Sequence, residues 1–174
     1  NGFTLTTIGT AIYSAGSLTI GTTAPATLTL GGATSNFYIN GQGNFLNVNG
    51  SSLINGLGSL ALYASGDANI PAFDNFNSTN TYIFTSGTSR TYNLTGNITI
   101  NGVLYAYAGG SPANTFTLDV KNHQVTANGA ANIGMAASAG STTNVNFTTG
   151  KWIANGATTI GSTQTVNFGS NSNY

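Results

Sequence analysis

Hydrophobic and polar residues alternate along this chain in short runs from one end to the other. The clearest runs cover 17–20, 27–30, 36–40, 44–49, 59–64, 81–85, 97–101, 103–107, 115–120, 124–127, 144–147 and 165–168. Alternation over roughly four to six residues, bounded by Gly or Asn, marks a half-buried strand. No stretch sustains a helical period, and Asn, Gly and Thr are poor helix formers. The pattern predicts strands joined by turns, and no helix.

Two strings recur near the C-terminus. Ala127-Asn128-Gly129-Ala130-Ala131-Asn132-Ile133-Gly134 returns as Ala154-Asn155-Gly156-Ala157-Thr158-Thr159-Ile160-Gly161, an offset of about 27 residues. Gly140–Phe147 returns as Gly161–Phe168, an offset of about 21, so the first copy holds roughly six extra residues around Met135–Ala139. Asn101-Gly102 carries the unit one step further back. A unit of 20–30 residues whose length drifts by insertion is how stacked solenoid coils read in sequence.

The expected fold is therefore all-β, a parallel β-solenoid with coils of about 20–27 residues. Asn-Gly is also a hairpin turn signal, so the alternative is a β-sandwich or jelly roll completed by a donated strand. The repeat favours the solenoid, because both copies keep the same inward candidates (Ile133/Ile160, Val145/Val166, Phe147/Phe168). Residues 1–174 read as one all-β domain or an excised segment. Within it, 1–65 form irregular coils, 66–90 a loop-rich excursion that holds Pro71, Asp67, Asp74 and several turn-prone Asn residues, and 91–174 regular coils.

Charge then narrows the partners. The chain has three basic and three acidic residues, no Glu and no Cys. Identical charges stacked about 4.8 Å apart repel, so a solenoid of like coils has reason to stay neutral. Zero net charge removes the footprint of a nucleic-acid binder, and no apolar run is long enough to span a bilayer. Without Cys there are no disulfides and no thiolate metal sites. A Lys-poor, Cys-free chain rich in Asn, Thr and Gly fits an extracellular or cell-surface location.

Candidate chemistry is sparse. Asp119, Lys121 and His123 alternate on one predicted strand, and the plain reading is a small solvated charge group. Asp67, Asp74 and Asp119 are too scattered for the paired carboxylates of a polysaccharide-cleaving enzyme. No catalytic residue, cofactor or metal site is expected. Sequons at Asn49, Asn77, Asn93, Asn97 and Asn146 are possible glycosylation positions, though this composition produces as many by chance. Tyr82, Phe84, Tyr105, Tyr107, Phe147, Trp152 and Phe168 are expected mainly as core aromatics, with Trp152 the best candidate for an exposed contact.

The stretch Tyr92-Asn93-Leu94-Thr95-Gly96-Asn97-Ile98-Thr99-Ile100-Asn101-Gly102 and the coils after it resemble the β-helical passenger regions of bacterial autotransporters, nearest the vacuolating-toxin-like branch. The resemblance implies a β-helix displayed outside the cell for adhesion, host contact or toxin delivery. The expected role is a non-enzymatic structural or adhesive β-rich rod. The alternative is the subunit of a self-assembling extracellular filament, pilus or thread, in which Phe3, Leu5 and Ile8 form a donated strand. Both imply self-association or cell-surface contact, without nucleic acid or membrane insertion. The chain begins at Asn1 without Met, and both ends read as cut from something longer or matured by processing.

Overall fold

The computed structural model describes residues 4–7, 12–21, 23–48, 51–135 and 139–169. Across them the chain winds into a parallel β-solenoid of about six turns, with no helix among the described residues. The strands are numbered in chain order. One face carries β1 (Thr4–Thr7), β4 (Thr27–Leu30), the start of β7 (Leu53–Tyr63) and the start of β9 (Phe73–Ser86). It continues through β11 (Ile98–Ile100), β14 (Gln124–Ala127) and β17 (Lys151–Ala154). The second face carries β2 (Ile12–Ala15), β5 (Asn36–Ile39), the far ends of β7 and β9, β12 (Val103–Gly109), β15 (Ala131–Ile133) and β18 (Thr158–Ile160).

The third side is split in two. β3 (Leu18–Ile20) pairs with β6 (Leu46–Val48), and a separate ladder runs through β8 (Ala68–Ile70), β10 (Arg90–Leu94), β13 (Thr115–Lys121), β16 (Thr142–Phe147) and β19 (Thr165–Phe168). Coil length varies at the corners. Partners are 21 residues apart at Ser59↔Asn80 and 28 apart at Leu18↔Leu46.

Alternation puts one set of side chains inside on every face. Thr115–Lys121 shows it plainly: Phe116, Leu118 and Val120 are buried and their neighbours are half-buried. The inward residues stack coil on coil, as in Leu28–Ile54–Phe76–Ile100–Ala127 and Ile39–Leu62–Ile83–Ala106–Ile133–Ile160. Each fully buried Leu, Ile or Phe contributes about 1.5–3 kcal/mol. A neutral cross-strand pair contributes only about 0.2–1 kcal/mol. The core columns hold the stack together, and the polar ladders outside them fix its register.

The main ladder grows from the Asn-Gly dipeptides. Asn155 donates to Asn128 at 2.7 Å, Asn128 to Asn101 at 2.5 Å, and Asn101 to Asn77. The adjoining glycines leave room for it, since a Cβ on Gly129 would lie 2.3 Å from the Gly102 carbonyl oxygen. Charges are kept apart in the same way. Asp119 lies in register between Asn93 and Asn146, and Lys151 above Gln124.

Two expectations change. Ile133 does stack on Ile160 at the 27-residue offset. The second string, however, is not stacked as its letters match: Thr143 pairs with Val166 and Val145 with Phe168. That offset is 23 residues rather than 21, so the earlier coil is four residues longer than the last, not six. A slip of two keeps every inward side chain inward, which is why the sequence match does not reveal it.

The stretch 66–90, expected as a loop-rich excursion, contains β8 and all of β9. Its turn-prone residues bond to adjacent coils instead of bending the chain. Asp74 accepts from Thr99, Asn77 accepts from Asn101, and Asn80 donates to Ser59.

Lys121 ends β13 with φ at 56°, a left-handed conformation that costs a residue with a Cβ about 1–2 kcal/mol. Its carbonyl accepts the N–H groups of Thr148, Thr149 and Gly150 at 2.8, 3.1 and 2.9 Å, which holds the corner in place. Lys121→Gly should therefore raise stability by about 0.5–1 kcal/mol, after glycine's own entropy cost. A lowered urea midpoint would mean that the lysine side chain contributes more than the strain costs.

Candidate functional site

The aspartates and His123 do not converge. The turn at Lys121 and Asn122 separates His123 from Asp119, so the expected trio is not on one strand. Asp67 accepts the Thr91 N–H at 2.8 Å, and Asp74 accepts from the Thr99 hydroxyl. Both carboxylates serve neighbouring coils. Among the described residues no three His, Cys, Asp or Glu side chains come together.

The sequons are placed as follows. Asn97 and Asn146 are exposed, Asn77 and Asn93 are half-buried, and Asn49 lies outside the described residues. Asn77 is held in the amide ladder and the Asn97 side chain accepts the Gln124 N–H. Of the proposed donor strand, Phe3 and Ile8 lie outside the described residues. Leu5 belongs to β1, which pairs with β4 of its own chain (Leu5↔Leu28), and is 59% exposed at the end of the stack.

The outer surface of the second face is where aromatic residues gather. On β9 and β12, Thr81, Ile83, Leu104, Ala106 and Ala108 are buried, while Tyr82, Phe84, Tyr105 and Tyr107 are only half-buried and point outward. Two stacks result. Tyr82 lies on Tyr105 with centroids 4.7 Å apart. Tyr63, Phe84 and Tyr107 form the neighbouring stack, at 5.0 and 5.2 Å. Offset rings at this spacing attract each other by about 0.5–1.5 kcal/mol beyond the area they bury.

Burial pushes the Tyr107 phenol up to about 12, helped by the neighbouring phenols of Tyr82, Tyr38 and Tyr105. Tyr82 is raised for the same reasons, burial first. Both hydroxyls stay neutral donors across the ordinary pH range. No Asp, Lys, Arg or His occurs on any strand of this face.

These four aromatics correct the expectation that they fill the core. In Val103–Gly109 both alternating sets are apolar enough to be inside, so polarity alone does not choose. Size does: the interior beside these coils already holds Tyr92 and Phe116, 5.4 Å apart, and accepts Ala106 and Ala108. The available signal was Tyr82-x-Phe84 recurring as Tyr105-x-Tyr107, with Ala106 between the later pair and Ala108 after it. Phe147 is buried as expected. Trp152, the best candidate among them for an exposed contact, is half-buried, stacks over Val125 and packs against the core in the last coils.

The solenoid ends are apolar. A cavity of about 400 Å³ at one end is lined by Ile133, Trp152, Ala154, Thr158, Ile160 and Phe168. Leu5 and Ile12 are exposed at the other. Comparison with protein-family models, curated proteins and solved structures finds no match to this chain.

Proposed function

We propose that this chain is a non-enzymatic contact module, a stiff β-solenoid that acts outside the cell as a structural and adhesive element. The observation that carries this reading is the outward array of Tyr63, Tyr82, Phe84, Tyr105 and Tyr107 on a face without charge. Tyrosine presents a large, rigid ring with a polar tip at low entropic cost, which is why it recurs at contact surfaces. Continuous hydrogen-bonded ladders fix the rings in place, so binding would not have to order them first. A passenger segment of a vacuolating-toxin-like autotransporter is the family setting that suits this reading, on the resemblance at Tyr92–Gly102.

The test is retention. Inert beads coated with the protein should be held on a cell monolayer under flow. Beads coated with the folded double variant Tyr105→Ser, Tyr107→Ser should be held several-fold less, as expected when aromatic anchors are removed. Equal retention would remove the aromatic face from the reading.

The open ends support a second reading, end-to-end assembly into a filament. Leu5, Ile12 and Ile160 are 59%, 71% and 47% exposed, and the strands carrying them are unpaired on their outer edges among the described residues. Exposed edges of this kind pair readily with another chain. Sedimentation should then show concentration-dependent oligomers that Ile160→Lys abolishes, and a monomer at every concentration would remove this reading.

A further inference from the structure

The two aromatic stacks on the second face differ in one respect. Tyr82 lies directly on Tyr105, with centroids 4.7 Å apart and planes 12° from parallel. In the neighbouring stack Phe84 stands between Tyr63 and Tyr107, so the two phenols are kept apart. Elsewhere Tyr13 lies on Phe37, and the buried Tyr92 meets Phe45 and Phe116. Tyr82–Tyr105 is the stack that joins two tyrosines.

Register fixes how these rings meet. Tyr82 and Tyr105 are partners on parallel strands, inside the unbroken pairing of Val103–Gly109 with Asn80–Ser86. Their side chains leave the sheet at the same level and in the same direction, so the near-parallel rings carry their hydroxyls to the same side. The Tyr105 phenol is close enough to help raise the ionisation of Tyr82. Thr81, Ile83, Leu104 and Ala106 anchor both strands in the core, and the rings cannot separate without lifting a strand. Both tyrosines are half-buried, with their outer edges open to solvent.

Such contact matters for one reaction. Loss of one electron and one proton from a phenol gives a phenoxyl radical, whose unpaired electron is shared with the two ring carbons beside the oxygen. Two such radicals join through those carbons. A carbon–carbon bond forms, and the ring hydrogens it displaces move to the oxygens, restoring both phenols. The pair loses two hydrogens in all, and one hydrogen peroxide is reduced to two waters. Holding the rings in contact makes the coupling intramolecular. Phenylalanine takes no part, because it has no phenolic hydrogen to give.

We propose that Tyr82 and Tyr105 form an oxidative cross-linking site, at which hydrogen peroxide acting through a haem peroxidase joins the two rings and staples consecutive coils. The inference goes beyond the contact role and holds whether or not this face binds anything. The bond would tie β9 to β12 across 23 positions of sequence. It would restrict the unfolded chain as a disulfide does, in a chain without Cys.

Treating dilute folded protein with hydrogen peroxide and a haem peroxidase tests this, with dityrosine fluorescence and mass-spectrometric peptide mapping as readouts. The monomer should become fluorescent, and one joined pair of peptides, lighter by two hydrogens, should link Tyr82 to Tyr105. Met135 is 45% exposed and gains oxygen under peroxide, so the link is read from the joined peptides rather than from the whole mass. Tyr105→Phe keeps the ring and its stacking, and should lose nearly all of the fluorescence with the circular dichroism spectrum unchanged. Phe84→Tyr puts a phenol between Tyr63 and Tyr107 and should add a second link. The stapled protein should unfold at higher urea than the untreated protein.

The site is refuted if the folded monomer forms no dityrosine, if the links map to other tyrosines, or if they join only separate molecules. Native yield in Tyr105→Phe, or no added link in Phe84→Tyr, would also overturn it. So would the same pair in the same yield from protein dissolved in urea, since the stacked geometry would then contribute nothing. A linked protein with an unchanged urea midpoint would refute the staple.

Discussion

Gly129→Ala should cost about 3 kcal/mol or more, at the upper end of what overpacking costs in a close-packed interior. The added methyl would lie 2.3 Å from the Gly102 carbonyl oxygen and 2.7 Å from its carbon. Both are backbone atoms of the coil beneath, so no rotamer change relieves the clash. The coil must lift, and lifting it pulls at the Asn128 rung and at the Ile98–Val125 layer beside it. The coil above has the same geometry, with a Cβ on Gly156 lying 2.4 Å from the Gly129 oxygen, so the strain extends to both neighbours.

Gly16→Ala is the control. Its methyl would meet nothing nearer than the Asn40 oxygen at 3.9 Å, and it should be neutral or stabilising by up to about 1 kcal/mol. Urea unfolding of both variants decides the matter. Similar shifts in midpoint would mean that the solenoid spacing is not set by these close approaches.

Tyr92→Phe should give the second large effect, together with a change in pH dependence. The Tyr92 ring is fully buried. Its hydroxyl accepts the Ala64 N–H at 2.7 Å and donates toward the carbonyls of Phe84 at 2.6 Å and Leu62 at 3.1 Å. Pairing between β7 and β9 stops at Tyr63↔Phe84, so the phenol takes over where the ladder ends. Removing one oxygen leaves buried backbone groups short of a partner, at a cost of about 1–3 kcal/mol at neutral pH.

Burial raises the ionisation of Tyr92 well above the ordinary value of 10.0. The unfolded chain therefore releases this proton first as the solution becomes alkaline. Above pH 10 the native state binds more protons than the unfolded one, so stability falls with rising pH. It is fully present below that point. The slope from one such group is about 1.4 kcal/mol per pH unit. Tyr82 and Tyr107 add to it in the same direction. Urea midpoints across an alkaline series should decline steeply in the native sequence and less steeply in Tyr92→Phe. Parallel declines would assign the alkaline weakness to other groups.

Much of this architecture was legible in the residues. Alternation gave the strands, and the return of Ala127–Gly134 as Ala154–Gly161 gave the coil and its 27-residue offset, which Ile133↔Ile160 bears out. What the letters hid follows from two properties of strands. A slip of two preserves which side faces in, so the best match between strings is not the pairing register at Val145↔Phe168. Turn propensity also depends on having nothing better to bond with, and Asp74, Asn77 and Asn80 find partners on other coils.

The candidate site was less legible for a related reason. Outward tyrosines on a strand whose inward set is also apolar give no polarity signal. The stacks exist only where coils meet, with Tyr82 on Tyr105 and Phe84 on Tyr107 brought together across 23 positions of sequence.

The asparagine ladder also has a direction. Asn155, Asn128 and Asn101 each donate toward the coil before them, so their carboxamide dipoles point one way along the axis. Bonds in such a chain polarise one another. Asn155 presents an acceptor to anything laid on top of it, whereas the other end of the row, Asn77, stacks over Asn55 inside the solenoid. The solenoid is thus an arrow. A coil gained by duplication beyond Asn155 continues the row only in the orientation of its neighbours.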